Sequence, residues 1–211
     1  MEISSLGHAC FKLKNRNAVL ITDPFDPKTT GLKFPKVEAD IITISHEHHD
    51  HNQISQVQGV PVVIAGPGEY EVKAVKIIGI KGYHDKVSGS KEGENVIYRI
   101  YIDGISIVHI GCLGHKLDEK TLEILDDVDI LLLPVSEEQT LTMSELTEVV
   151  SQLDPKIIIP MHYSKEGLSK DKASKLEIFL KEMGKEGIKP VPKLVITKDK
   201  LPSEPMVVVF E

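Results

Sequence analysis

The chain has 211 residues, 41% of them hydrophobic but only 5% aromatic, enough for one sizeable aliphatic core, and a single domain over 1–211 is expected. A formal charge of −7, with lysine and glutamate mixed along the chain and no basic stripe, argues against nucleic acid as a partner. No run reaches the roughly 18 apolar residues of a membrane span, the first residues hold no apolar signal core, and Cys10 and Cys112 make no disulfide framework; a cytoplasmic protein that meets no membrane is expected.

Residues 2–6, 9–14 and 18–22 read as three short strands joined by turns at Gly7-His8 and Asn15-Arg16-Asn17. The prolines of Asp23-Pro24-Phe25-Asp26-Pro27 stop the third strand and leave Asp23 at its end. The β-branched run 39–45 reads as a buried parallel strand, and it delivers His46-Glu47-His48-His49-Asp50-His51 to a loop at its carboxyl end, where open α/β sheets place their sites. Asn52 is expected to cap a short helix to about residue 57, with a strand at 60–65, a turn at 67–71 and a β-rich stretch at 72–80. His84 follows, and then a polar loop, 86–94, expected to be a mobile hairpin tip. Strands 95–102 and 105–110 flank Asp103-Gly104, the strongest hairpin signal in the chain, and lead to Gly111-Cys112-Leu113-Gly114-His115. From there β and α alternate: a helix at 118–125, a strand at 129–133, a helix opened by the Thr142-x-x-Glu145 capping box, and a strand at 156–159 ended by Pro160, with Met161-His162-Tyr163 beyond. A helix at 172–183 and strands at 194–197 and 206–210 close the chain.

Four of the nine histidines fall within the six residues 46–51. In extended chain His46 and His48 point the same way, and a turn after the strand swings Asp50 and His51 toward a neighbouring point. Two imidazoles for one metal and a carboxylate–imidazole pair for a second is the natural reading, and these ligand types suit zinc.

The pattern His46-x-His48-x-Asp50-His51, with Asp23-Pro24 upstream, a lone His84 after a β stretch, Gly111-x-x-Gly114 after a strand and Met161-His162-Tyr163 late in the chain, resembles the metallo-β-lactamase fold superfamily. The likeness covers nearly the whole chain and is nearest to the small prokaryotic zinc-dependent hydrolases, a group similar to the ascorbate-6-phosphate lactonases. It implies an α/β (α+β) fold, a four-layer αββα sandwich, with a dinuclear centre in the cleft between the sheets. His46, His48 and His84 would hold the first metal, and Asp50, His51 and His162 the second, with two Zn2+ expected and iron or manganese as alternatives. A zinc-bound hydroxide is then the nucleophile, oriented by Asp50.

The sequence departs from the family where most members have a bridging aspartate in a His-x-Gly-Asp stretch, because here the run is His109-Ile110-Gly111-Cys112. Cys112 is expected to ligate the second metal through its thiolate; the other reading is a small buried residue beside a weakened or single-metal site. Asp23 is expected to accept a hydrogen bond from a ligand imidazole, or else to cap a turn; His8 resembles a family position at the cleft mouth, which implies contact with substrate or support of the ligands, the other reading being a turn histidine. His49, His109 and His115 read as structural or peripheral. The function expected is a metal-dependent hydrolase acting on a small polar or anionic molecule: a lactone, phosphoester or related ester or amide. The alternatives are an iron-dependent oxidoreductase in the same pocket and a metal-binding protein weakened by Cys112. Substrate would be selected by loops 25–34, 86–94 and 136–142, and homo-oligomer formation is left open.

Overall fold

The computed structural model describes residues 1–136, 141–163 and 175–211. The first meander forms as the turn residues dictate: β1 (Glu2–Gly7), β2 (Cys10–Lys14) and β3 (Val19–Thr22) pair antiparallel. β4 (Ile41–Thr43) and β5 (Val62–Ile64) then join in parallel, with Leu20, Ile41 and Val62 in register, and β12 (Leu194–Val195) closes the other edge against β1.

The second sheet begins with antiparallel β6 (Gly68–Val72), β7 (Val75–Tyr83), β8 (Glu94–Ile102) and β9 (Ile105–His109). It continues in parallel through β10 (Ile130–Pro134), β11 (Ile157–Met161) and β13 (Met206–Val207). Successive residues of its strands face opposite sides, so Tyr98, Ile107, Leu132 and Ile159 meet Phe11, Leu13, Leu20 and Ile41 of the first sheet in the central core. Their neighbours Ile97, Val108, Leu131 and Ile158 pack in the outer core with Leu146 and Val149 of α3 (Met143–Leu153) and Phe179 and Leu180 of α4 (Lys175–Glu182). The chain of α2 (Glu119–Ile124) adds Leu122 and Ile124 to that layer. Burial on both faces explains why these strands read as unbroken apolar runs.

The outer face of the first sheet, with Ile21 and Ile42, is covered by Phe25, Ala39 and Val57. Mostly irregular chain forms this layer, with one short helix, α1 (Pro27–Thr30), because Pro24, Pro27 and Pro35 and a left-handed Gly31 keep the segment from a longer helix. The expected four-layer arrangement is therefore asymmetric: helices on one outside, largely loop on the other.

Three local expectations are corrected. Residues 68–72 are an edge strand, and the turn falls at Lys73-Ala74, both with positive φ. The chain after Asn52 makes only a 3-10 turn, Ile54–Gln56, with no side-chain cap; the Asn52 amide instead donates to Glu47. Pro160 lies inside β11: it faces the same side as Ile158, whose carbonyl accepts from Val208, and the β13 pairing ends there, so no partner needs the missing N–H. The last helix is described from Lys175, residues 172–174 of the expected span lying outside the described residues.

Candidate metal centre

The candidate ligands arrive at strand ends from both sheets. His46 and His48 follow β4, His84 follows β7, Cys112 follows β9 and His162 follows β11. The two sheets are tied together at this mouth: the Val96 N–H donates to the Ser45 carbonyl at 2.7 Å, the His162 N–H to His8 at 3.1 Å, and the Tyr98 hydroxyl to Ile44 at 2.9 Å. Asp23, His8 and His162 all have left-handed backbone, at φ 38°, 56° and 58°, a conformation that collects at functional sites.

Among the described residues the candidate ligand atoms form three groups, each within 4.8 Å: His46, His48 and His84; His46, His51 and Cys112; and His8, Asp50, His51 and His162. The first and third reproduce the two expected sets, with His8 added to the second set. The middle group draws one member from each, and Cys112 Sγ lies 3.6 Å from His51 Nε2. His8 is thus closer to the centre than a residue at the cleft mouth: its Nε2 is 3.0 Å from Asp50 Oδ2, and its ring centroid is 3.9 Å from that of His162.

Asp23 organises the imidazoles. Fully buried, it accepts from the Ser45 N–H at 2.8 Å, from the Ser45 hydroxyl, and from His51 Nδ1 at 2.9 Å. Because Ser45 Oγ gives its proton to Asp23, it must accept from His46 Nδ1, 2.9 Å away. Both His46 and His51 then present a bare Nε2 lone pair to the centre. His46 Nε2 and His84 Nδ1 are buried with no hydrogen-bond partner among the described residues. A buried acceptor left without a proton donor is costly unless a cation takes the lone pair, and the donor set of imidazoles, one carboxylate and one thiol fits a divalent transition metal.

The electrostatics agree with that fit. Burial, reinforced by the neighbouring His51, pushes His46 down to about 2; burial and His8 push His162 down to about 3. His51 and His84 are lowered for the same leading reason, burial. These imidazoles are neutral near pH 7, as metal ligands must be. Burial alone would raise Asp50, but the hydrogen bond from His8 and the adjacent His51 hold it well below the usual carboxylate range. The Cys112 thiol is pushed far up by burial and by the charges of Asp23 and Asp50, so its ionisation needs a cation beside it.

Two positioning groups, Asn95 and Asp85, carry no sequence signal of their own, and the two motif glycines show why they are needed. Asn95 donates to the Ile110 carbonyl at 3.0 Å and accepts from the Cys112 N–H at 2.9 Å, pinning the loop that carries Cys112. Gly111, at φ 61°, cannot hold a side chain there: a Cβ would stand 2.2 Å from Asn95 Oδ1 and 2.7 Å from Ser45 Cβ. At Gly114 a Cβ would meet the His84 carbonyl at 2.2 Å. Asp85 accepts four backbone N–H groups, from Val87, Gly89, Lys91 and Glu92, so the loop expected to be a mobile tip is folded around one carboxylate. Those bonds hold Asp85 far below its ordinary value, against the effect of burial. His109 is completely buried: its Nδ1 accepts from Gly111, so Nε2 donates to the Ala9 carbonyl at 3.1 Å, joining the sheets behind the centre. His49 is exposed, with Gln53 its hydrogen-bond partner, and His115 accepts from the Tyr83 N–H. Neither belongs to the groups of ligand atoms. Loop residues 137–140, expected near substrate, lie outside the described residues.

Comparison with known proteins gives the same fold and family. A family model described as β-lactamase superfamily domain matches residues 2–162. A UPF0173 metal-dependent hydrolase of Thermoplasma acidophilum is 32% identical over 188 residues, covering 75% of this chain and 81% of that protein. One of Thermococcus onnurineus is 28% identical over 191 residues, 78% of this chain and 85% of its own. Among solved structures, a Thermotoga maritima protein assigned to the zn-dependent hydrolases of the metallo-β-lactamase superfamily superposes with a TM-score of 0.79 at 35% identity, over 100% of this chain and 98% of the other. No described helix is long and apolar enough to cross a membrane. With its two facing sheets, its histidine-lined mouth and this match, the chain belongs to the β-lactamase superfamily, among its metal-dependent hydrolases.

Proposed function

We propose that the chain hydrolyses an ester, lactone, amide or phosphoester bond in a small polar molecule, with two zinc ions held at this centre. The reading is carried by one observation: His46 and His51 are locked by Ser45 and Asp23 into the tautomer that turns bare Nε2 atoms toward the shared centre. His46, His48 and His84 would hold one ion and Asp50, His51 and His162 the other. Cys112 stands in the group that takes a histidine from each set, the position for a ligand shared between them or belonging to the second. A buried thiolate among imidazoles favours zinc over the iron alternative.

When bound, the metal supplies a water acidified toward neutral pH and an electrophile for the oxygen of the bond being cleaved. The chain's own groups do the rest. Asp50, fixed by His8, stays ionised and accepts a hydrogen bond from the attacking water, which orients it toward the bond to be cleaved. Asp23 keeps the imidazoles from rotating, so the ligand geometry is set before substrate arrives. The test is hydrolysis of a panel of chromogenic esters, lactones and phosphoesters by protein stripped with chelator and reloaded with zinc. Activity that returns with zinc, and drops at least about a hundredfold in Asp50→Asn, supports the reading; hydrolysis indifferent to metal sinks it.

A further inference from the structure

Beside the first histidine group lies a cavity of about 350 Å³, and His46 and His48 form part of its wall. Three carboxylates, Glu47, Glu92 and Glu94, also line it, and among the described residues of that lining there is no lysine or arginine. Glu94 is neutralised by Lys81, while among the described residues Glu47 receives only the uncharged amide of Asn52. Glu92 has no ion-pair partner among the described residues, and its charge is felt at His84. The loop that carries Glu92 does not swing freely, because Asp85 binds the Glu92 N–H itself at 2.9 Å together with three other amides. Lys86 of the same loop is tied to Glu145 at 2.7 Å. The cavity also opens on His46, 4% exposed, whose Nε2 has no partner. An uncompensated carboxylate in the wall of a cavity that reaches His46 and His48 marks a place for a molecule that extends from the acidic wall to the histidines.

We infer that this cavity selects substrates that carry a cationic group, an ammonium or guanidinium, with Glu92 and Glu47 receiving the charge while the bond to be cleaved lies at the histidines. The inference rests on the hydrolytic reading of the centre and narrows it: an anionic substrate would meet two unbalanced carboxylates at the entrance, whereas a cation is drawn in. The cavity size suits a metabolite rather than a polymer.

The test is a binding measurement, independent of turnover. Choline and 3,3-dimethylbutan-1-ol differ only in a quaternary nitrogen against a quaternary carbon, and both present the same hydroxyl to a metal. Each is titrated into zinc-loaded protein at low ionic strength by ligand-observed NMR. Choline should bind at least about tenfold more tightly than its neutral isostere, and Glu92→Gln should cut that ratio by at least about threefold while leaving the affinity of the neutral alcohol and the zinc content unchanged. Equal affinities in the native protein, no saturable binding of choline, or a ratio that survives Glu92→Gln overturns the inference and leaves the carboxylates as counter-charges to the metals. Selective choline binding without any zinc-dependent ester hydrolysis would instead overturn the hydrolase reading and keep the cationic pocket.

Discussion

Asp23 Oδ2 and His51 Nδ1 lie 2.9 Å apart, both side chains with no solvent exposure, and the same oxygen takes the Ser45 hydroxyl that in turn receives His46. One carboxylate therefore sets the tautomers of a histidine in each ligand group. In Asp23→Asn the amide keeps the volume but offers one acceptor oxygen in place of two, so zinc affinity should fall by about 10–100-fold. Competition against a chromogenic chelator measures it; unchanged affinity would mean that the imidazoles are held by packing alone.

Cys112 should contribute to the occupancy of the centre. Zinc content is expected to be close to two per chain in the native protein and to fall toward one in Cys112→Ala, with Cys112→Ser close to the alanine variant because a serine hydroxyl does not ionise as a thiol does. Elemental mass spectrometry on folded protein reads this directly, and two zinc ions retained in Cys112→Ala would show the thiol to be a bystander.

Asn95→Ala strands the Ile110 carbonyl and the Cys112 N–H in a buried place, and should cost about 3 kcal/mol of stability. Urea denaturation checks it. A loss under about 1 kcal/mol would mean that the loop relaxes to find other partners.

The histidines give the metal-free protein an acid-sensitive stability. An unfolded histidine takes a proton below about 6.5, whereas the folded values of His46 and His162 are about 2 and about 3. Between those limits the unfolded chain binds more protons than the native one, so stability is complete above pH 6.5 and is lost as pH falls toward the folded values. Two such groups predict a loss on the order of 3 kcal/mol between pH 7.5 and 5.0. Denaturation of chelator-treated protein at those two values tests the sign, and a stability that is flat or rises on acidification contradicts it.

Much of the centre could be read from local order in the chain. The spacing of His46, His48, Asp50 and His51 encodes which side chains converge, and the prolines after Asp23 encode where a strand must stop. His84, Cys112 and His162 each follow a β-rich run, but it is the resemblance to the metallo-β-lactamase fold that assigns them to the centre. What could not be read depends on partners far away in sequence. Asn95 looks like an ordinary strand residue until Cys112 is folded against it, and Asp85 looks like one charge in a polar loop until its carboxylate gathers four amides. Pro160 reads as a strand end because the loss of an N–H is visible in sequence, whereas the absence of a partner on that side is not. His8 reads as a turn residue that the family likeness sets at the cleft mouth; its nearness to Asp50 follows from the β1–β2 turn and the chain after β4 meeting at the same end of the first sheet.

The most direct test of the account is the identity and number of metal ions in protein purified without added metal, measured by elemental mass spectrometry alongside protein concentration. About two zinc ions per chain is the result predicted by the paired ligand groups and by Cys112 between them. A single iron per chain would contradict it in favour of oxygen chemistry in the same pocket, and a chain that neither carries metal nor takes up zinc on titration would contradict the metal centre itself.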